Sequence, residues 1–177
     1  CWRRSGTVEA WRQLMKDQAN KKVLQIRQTS GPQHWLRTSV QPRVDLVETG
    51  TCDLSIGPQQ HSGCSWHPPT LWMGVGCERN TSKSLIHRAI SQSLSDAGFA
   101  IEAIAGLATA DRKADEPALL ALCHDYDWPL RTYTAEQLAV IPVPTPSQAV
   151  FKEMGTASVA EAAALLTAGD SGTLRQT

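Results

Sequence analysis

Leu71-Trp72-Met73-Gly74-Val75-Gly76-Cys77-Glu78-Arg79-Asn80-Thr81-Ser82 decides how the chain is read. A short apolar run that ends in glycines predicts a buried strand leaving into a loop. Thr81 or Ser82 then caps a helix running to about residue 97. Its apolar stripe is Leu85, Ile86, Ala89, Ile90, Leu94 and Ala97, and Gly98 stops it. Further out, residues 101–109 form a second strand region, interrupted by Gly106. Asp115 caps a helix with Pro117 in its first turn. That helix, to about residue 123, is apolar almost all round and is expected to be buried. Residues 130–133 give a third strand, and Thr134 with Gln137 a capping box. Pro142, Pro144 and Pro146 fix an extended segment, after which Ser147 starts a short helix ended by Gly155. Ser158 and Glu161 form a second capping box for a helix through Leu166, which Gly169 stops. Strands alternating with helices predict a layered α/β domain with a mixed or mostly parallel sheet over residues 70–169. Residues 170–177 are expected to be a frayed tail.

Residues 1–69 differ in composition. They carry nine Lys/Arg and five Asp/Glu, whereas 70–177 carry eight and twelve. The zero formal charge of the 177-residue chain therefore hides a split of +4 against −4. His67-Pro68-Pro69 marks the boundary. In this half, residues 7–20 read as a helix with Val8, Trp11, Leu14 and Met15 on one face. Residues 23–26, 40–46 and 52–56 read as short strands, with Thr49-Gly50-Thr51 as a turn, and 57–69 as loop. The segment is a smaller, poorly defined α+β region with too few regular apolar positions for a core of its own.

Several classes of protein are disfavoured. Nothing drives the whole chain toward nucleic acid, and no stretch reaches the ~18 apolar residues of a spanning helix. The five cysteines (1, 52, 64, 77 and 123) are odd in number and contain no C-x-x-C pair. That usage fits free thiols in a reducing, cytoplasmic compartment. His61, Cys64 and His67 with Cys52 are ligand types without a zinc spacing, so no metal site is expected. Cys1-Trp2-Arg3-Arg4 has no apolar run behind it and reads as the edge of a longer polypeptide.

In parallel sheets, ligands bind beyond the carboxyl ends of strands. Three segments are expected there: 76–81, 109–116 and 155–158. Gly74-Val75-Gly76 is a partial dinucleotide fingerprint whose third glycine is replaced by Arg79; it fits a tight turn or an anion site. Cys77 is a packed thiol or a nucleophile in need of a base. Asp111-Arg112-Lys113-Ala114-Asp115-Glu116 is either a surface ion-pair network or acid–base machinery, with Lys113 on a substrate carboxylate. Gly155-Thr156-Ala157-Ser158 is a helix start, or one that also holds an anion.

The same segments, with Ala105-Gly106-Leu107-Ala108-Thr109, Pro142-Val143-Pro144, Pro146-Ser147 and Gly155-Thr156-Ala157-Ser158-Val159-Ala160-Glu161-Ala162, carry a family likeness. Residues 71–166 resemble the C-terminal domain of the cobalt-precorrin-5A hydrolases (CbiG) and the related CobE proteins of cobalamin biosynthesis. Residues 2–66 resemble, more loosely, the variable central region of those hydrolases. Gln28-Thr29-Ser30-Gly31 and Gln33-His34-Trp35 are similar to versions fused to a precorrin methyltransferase. Two positions depart from the family: Asn80 stands where glycine is usual, and Arg112 where an aliphatic residue is usual. The family's N-terminal domain has no counterpart in residues 1–177.

The resemblance implies opening of the ring-A δ-lactone of cobalt-precorrin-5A and release of acetaldehyde, giving cobalt-precorrin-5B. Cobalt enters only as part of the substrate, and no cofactor is expected. Implied partners are the tetrapyrrole, the N-terminal domain, and a fused or neighbouring methyltransferase. On this reading Gly76, Cys77, Arg79, Thr81, Lys113, Gly155, Thr156 and Ser158 bind substrate, and Glu78, Asp115 and Glu116 are candidates for proton transfer. The alternatives are a non-catalytic CobE-like tetrapyrrole-binding module and a nucleotide-binding α/β domain.

Overall fold

The computed structural model describes residues 1–37, 43–146, 158–169 and 172–175. The chain forms two units, Cys1–Thr70 with Gly98–Ala103, and Leu71–Ala97 with Ile104–Thr177.

The first unit contains β1 (Arg3–Ser5), α1 (Val8–Ala19), β2 (Leu24–Gln28), β3 (Val44–Leu46), β4 (Leu54–Ile56) and β5 (Cys64–His67). The sheet order is β1-β5-β4-β2-β3, with β1 antiparallel at one edge and the other pairings parallel. Thr7 Oγ1 accepts the Ala10 N–H and so caps α1. Leu24, Ile26, Leu54, Ile56 and Cys64 form a core, joined by Trp11, Leu14 and Trp66. Val8 and Met15, expected on the same helix face, are exposed instead.

Two further expectations are corrected here. Residues 64–67 are a strand, not loop: Cys64 and Trp66 face the core, while Ser65 and His67 are buried polar residues. His67 is satisfied by Ser5 Oγ at Nε2 (2.8 Å) and the Gly57 carbonyl at Nδ1 (2.7 Å). Strands β3 and β4 are not joined as neighbours by the 49–51 turn; each pairs in parallel with β2, on opposite sides. Residues 40–42 of the expected third strand lie outside the described residues.

The second unit holds β6 (Leu71–Gly74), α2 (Lys83–Asp96), β7 (Ile104–Ala110), α3 (Pro117–Tyr126), β8 (Leu130–Tyr133), α4 (Ala135–Ala139) and α5 (Val159–Ala168). The sheet is fully parallel in the order β6-β7-β8, as the α/β reading requires. Residues 101–103 form a 3-10 turn ahead of β7, so the strand starts later than expected. Gly106 does not interrupt it; a Cβ there would lie 2.4 Å from the Trp72 ring. Ser82 caps α2, accepting the Leu85 N–H, and Ile86, Ile90 and Leu94 are its buried stripe. Leu85 and Ala89, read as part of that stripe, are exposed. Helix α3 runs on to Tyr126 and buries Leu119 and Leu122, but Leu120 faces solvent. The Thr134–Gln137 capping box forms with both bonds.

Helix α5 lies against the sheet through small residues. Ala108 and Ala110 of β7 share a core with Val159, Ala162, Ala163 and Leu138. A Cβ built on Gly74 would sit 1.8 Å from the Ala160 carbonyl oxygen and 3.1 Å from Ala164 Cβ. On Gly76 it would meet Val159 Cβ at 3.9 Å and the Ala160 N at 4.0 Å, both ordinary contacts. Ser158 accepts the Glu161 N–H, but the reciprocal half of the expected box is absent: Glu161 Oε2 takes the Thr145 N–H instead, at 3.1 Å. The helix expected from Ser147 to Gly155 lies outside the described residues, as do residues 170, 171, 176 and 177 of the tail.

Gly74→Ala is expected to destabilise the protein by about 2–4 kcal/mol, because overpacking against helix backbone cannot relax through a side-chain rotamer. Gly76→Ala should cost well under about 1 kcal/mol, since it adds an ordinary contact. Urea unfolding of both variants checks the contrast.

Candidate functional site

Because β6 and β7 are parallel neighbours, the loops that leave them open on the same rim. The first, residues 75–82, is anchored early. Val75 N–H bonds to the Ala108 carbonyl at 2.8 Å, and buried Thr109 Oγ1 donates to the Val75 carbonyl at 2.7 Å. Thr81 Oγ1 donates to the Glu78 carbonyl at 2.8 Å and closes a turn, in which Asn80 adopts φ +60°. Asparagine accepts this left-handed conformation better than most residues.

Arg79 ties this loop to the next one. Its Nη1 donates to Asp115 Oδ1 at 2.6 Å and its Nη2 to the Arg112 carbonyl at 2.6 Å. From the second loop, Glu116 Oε1 accepts the Asn80 N–H at 3.0 Å, and its Oε2 lies 3.8 Å from Arg79 Nη1. The two loops are therefore cross-linked by one cation and one buried acid. Asp115 does not cap α3: the cap position is Glu116, and no side chain caps that terminus. Asp115 turns to Arg79 instead, which a local reading of the sequence does not reveal.

The Arg79 guanidinium holds the Asp115 carboxyl below the ordinary aspartate range, mainly through that hydrogen bond. At neutral pH Asp115 is an ionised counter-charge. The pair is open to solvent, with side-chain exposures of 52% and 76%, so it contributes little to stability and is readily exchanged. Cys77 is half-buried on the same loop. Burial pushes its thiol up, against the opposing pull of Lys113, so it stays protonated at neutral pH. Glu78 is exposed, and Lys113 is half-buried in a 3-10 turn spanning Asp111–Lys113. The third segment approaches the first: the position of a Gly76 Cβ is 4.0 Å from the Ala160 N. Ser158 is the cap of that helix. Gly155 and Thr156 lie outside the described residues.

Gly74-Val75-Gly76 thus has a packing role, since Gly74 admits the first turn of α5. His61, Cys64 and His67 are separately committed. Cys64 is in the core, His67 is bonded to Ser5 and Gly57, and His61 Nδ1 accepts the Gly63 N–H. Among the described residues no group of three or more His, Cys, Asp and Glu could hold a metal ion. Among them, too, no helix is long and apolar enough to cross a membrane.

A fully parallel sheet with helices packed against it defines the class, a parallel α/β domain. The family described as "Cobalamin synthesis G C-terminus" matches residues 71–176, and the chain belongs to it. The family is the one the motifs of residues 71–166 indicate, and it places the chain in cobalamin biosynthesis. The chain is 34% identical over 108 residues to the cobalt-precorrin-5A hydrolase of Priestia megaterium, a match covering 61% of this chain and 29% of that protein. It is 37% identical over 101 residues to protein CobE of a Sinorhizobium species, covering 56% of this chain and 66% of that one. The crystal structure of CobE, a protein from the cobalamin (vitamin B12) biosynthetic pathway, superposes with a TM-score of 0.53 at 31% identity, over 56% of this chain and 72% of that one. The match spans less than a third of the hydrolase.

A carboxyl whose folded-state value lies below its unfolded value stabilises the fold above the unfolded value. That contribution is lost as pH falls through the folded value. Arg79→Gln is therefore expected to return Asp115 to the ordinary aspartate range and to remove its share of the acid-side loss of stability. Carboxyl NMR titration of the wild type and the variant checks this.

Proposed function

We propose that the chain binds a carboxylated, cobalt-bearing tetrapyrrole at this rim. We further propose that it serves the hydrolysis of cobalt-precorrin-5A to cobalt-precorrin-5B and acetaldehyde, together with the hydrolase's N-terminal domain. One observation carries the reading: Arg79 already holds a carboxylate, that of Asp115, where two strand-end loops meet. A ligand carboxylate has the same chemistry and can exchange with it. Lys113, Thr156 and the start of α5 with Ser158 supply further anion contacts, and Gly76, Cys77 and Thr81 line the first loop. Lactone opening asks for a group that takes a proton from water and donors for the oxyanion. Glu116 is the carboxylate of choice for proton transfer, with exposed Glu78 second. Asp115 is the counter-ion that the ligand displaces. Cobalt belongs to the substrate.

The CobE-like reading, binding without turnover, also has support. The match takes in 66% of CobE but 29% of the hydrolase. The remaining partners, a methyltransferase included, belong to the same proposal.

Titration of the full chain with cobalt-precorrin-5A, followed by absorbance and by an acetaldehyde assay with and without the added N-terminal domain, tests the reading. Binding by the chain and turnover with the added domain are expected. Arg79→Gln or Lys113→Gln should weaken binding roughly tenfold, the loss of one charge-assisted contact. Asp115→Asn should tighten it severalfold. Binding that never leads to acetaldehyde selects the CobE-like role, and absence of binding ends both readings.

A further inference from the structure

Glu116 is 1% exposed, and its two oxygens are treated differently. Oε1 accepts the Asn80 N–H. Oε2 is fully buried and has no hydrogen-bond partner. Arg79 Nη1, 3.8 Å away, is directed at Asp115. Glu161, the other buried acid among the described residues of this unit, does not share this condition, because its Oε2 accepts the Thr145 N–H. A buried acceptor without a donor is costly, so a protein that retains one usually has an occupant for it.

We propose that the site is built for a hydroxy acid: the ligand's carboxylate takes Arg79 in place of Asp115, and its hydroxyl donates to Glu116 Oε2. The proposal rests on the lactone-opening reading above. Hydrolysis of a lactone leaves one carboxylate and one hydroxyl on the same molecule, whereas the closed ring offers neither at that point. Arg79 Nη1 and Glu116 Oε2 are 3.8 Å apart, so their two ligand groups must be close neighbours. Arg79 Nη1 lies between the two acids, 2.6 Å from Asp115 Oδ1 and 3.8 Å from Glu116 Oε2, so a ligand that replaces Asp115 there comes close to Oε2. The site then prefers the ring-opened form to the lactone that gives rise to it.

Two forms of one ligand test this: cobalt-precorrin-5A and the hydroxy acid made from it by mild base. Each is titrated into the full chain, wild type and Glu116→Gln, and both proteins are melted without ligand. Wild type should bind the opened form at least tenfold tighter. Glu116→Gln should cut that preference at least threefold and melt no lower than wild type, because Oε2 makes no hydrogen bond that the variant would lose. Equal affinity of the wild type for the two forms overturns the proposal and leaves the proposed function standing. If neither form binds, the function reading fails, and melting then decides. A lower-melting Glu116→Gln marks a purely structural glutamate and overturns the inference, while an equal or higher value supports an acceptor kept for a ligand.

Discussion

A Cβ on Gly74 would lie 1.8 Å from the Ala160 carbonyl oxygen, so the first turn of α5 reaches the end of β6 only because that position has no side chain. The alanines continue the same logic. Ala108, Ala110, Ala162 and Ala163 present little more than a methyl group each, and helix and sheet close to within backbone contact. Three consequences follow from this one approach. The start of α5 comes to the rim where β6 and β7 end. Of the two glycines, Gly74 is required by packing, whereas Gly76 has room for a Cβ. Residues 75–82 leave the strand on a path already fixed by the Val75 and Thr109 bonds to the neighbouring strand.

Charge at this rim acts locally. Residues 70–177 carry a net −4, which at long range opposes an acidic ligand. Salt screens such fields beyond roughly 8–10 Å. On the proposed function, the cations within that range are Arg79 and Lys113 on the cross-linked loops. The solvent-open Arg79–Asp115 pair keeps the cation in place without committing it, because an exposed pair has little to lose by exchange. The Lys83–Asp125 pair, which joins α2 to α3, is a comparable surface contact without a buried acid beside it.

Much of the second unit was legible because it is locally determined. The apolar run before Gly74, the Ser82 cap, the Thr134–Gln137 box and the glycines at 98 and 169 each depend on residues within four positions. The strand at 64–67 was not, because its polar half is made buriable by Ser5 and Gly57, one of them 62 residues away. Asp115 and Glu116 show the same limit. A capping residue beside Pro117 is the local expectation. The partner that draws Asp115 away lies 36 residues upstream, and the N–H that engages Glu116 lies equally far. The motifs thus marked segments, while the contacts within them depended on the fold.

Asn80 shows how those roles are linked. It stands in the left-handed region, at φ +60°, where the family resemblance leads one to expect glycine. Its backbone N–H is held by Glu116, so the turn is supported from the neighbouring loop as well as by its own conformational tolerance. Glu161 does the same for the proline-rich segment, holding Thr145. Both acids sit at helix starts, Glu116 at the cap of α3 and Glu161 in the first turn of α5, where the helix dipole favours negative charge. Each of these carboxylates accepts an N–H from a loop that is distant in sequence. The two buried acids therefore hold loops that local sequence would leave free, and Arg79 joins Glu116 in tying residues 75–82 to the start of α3.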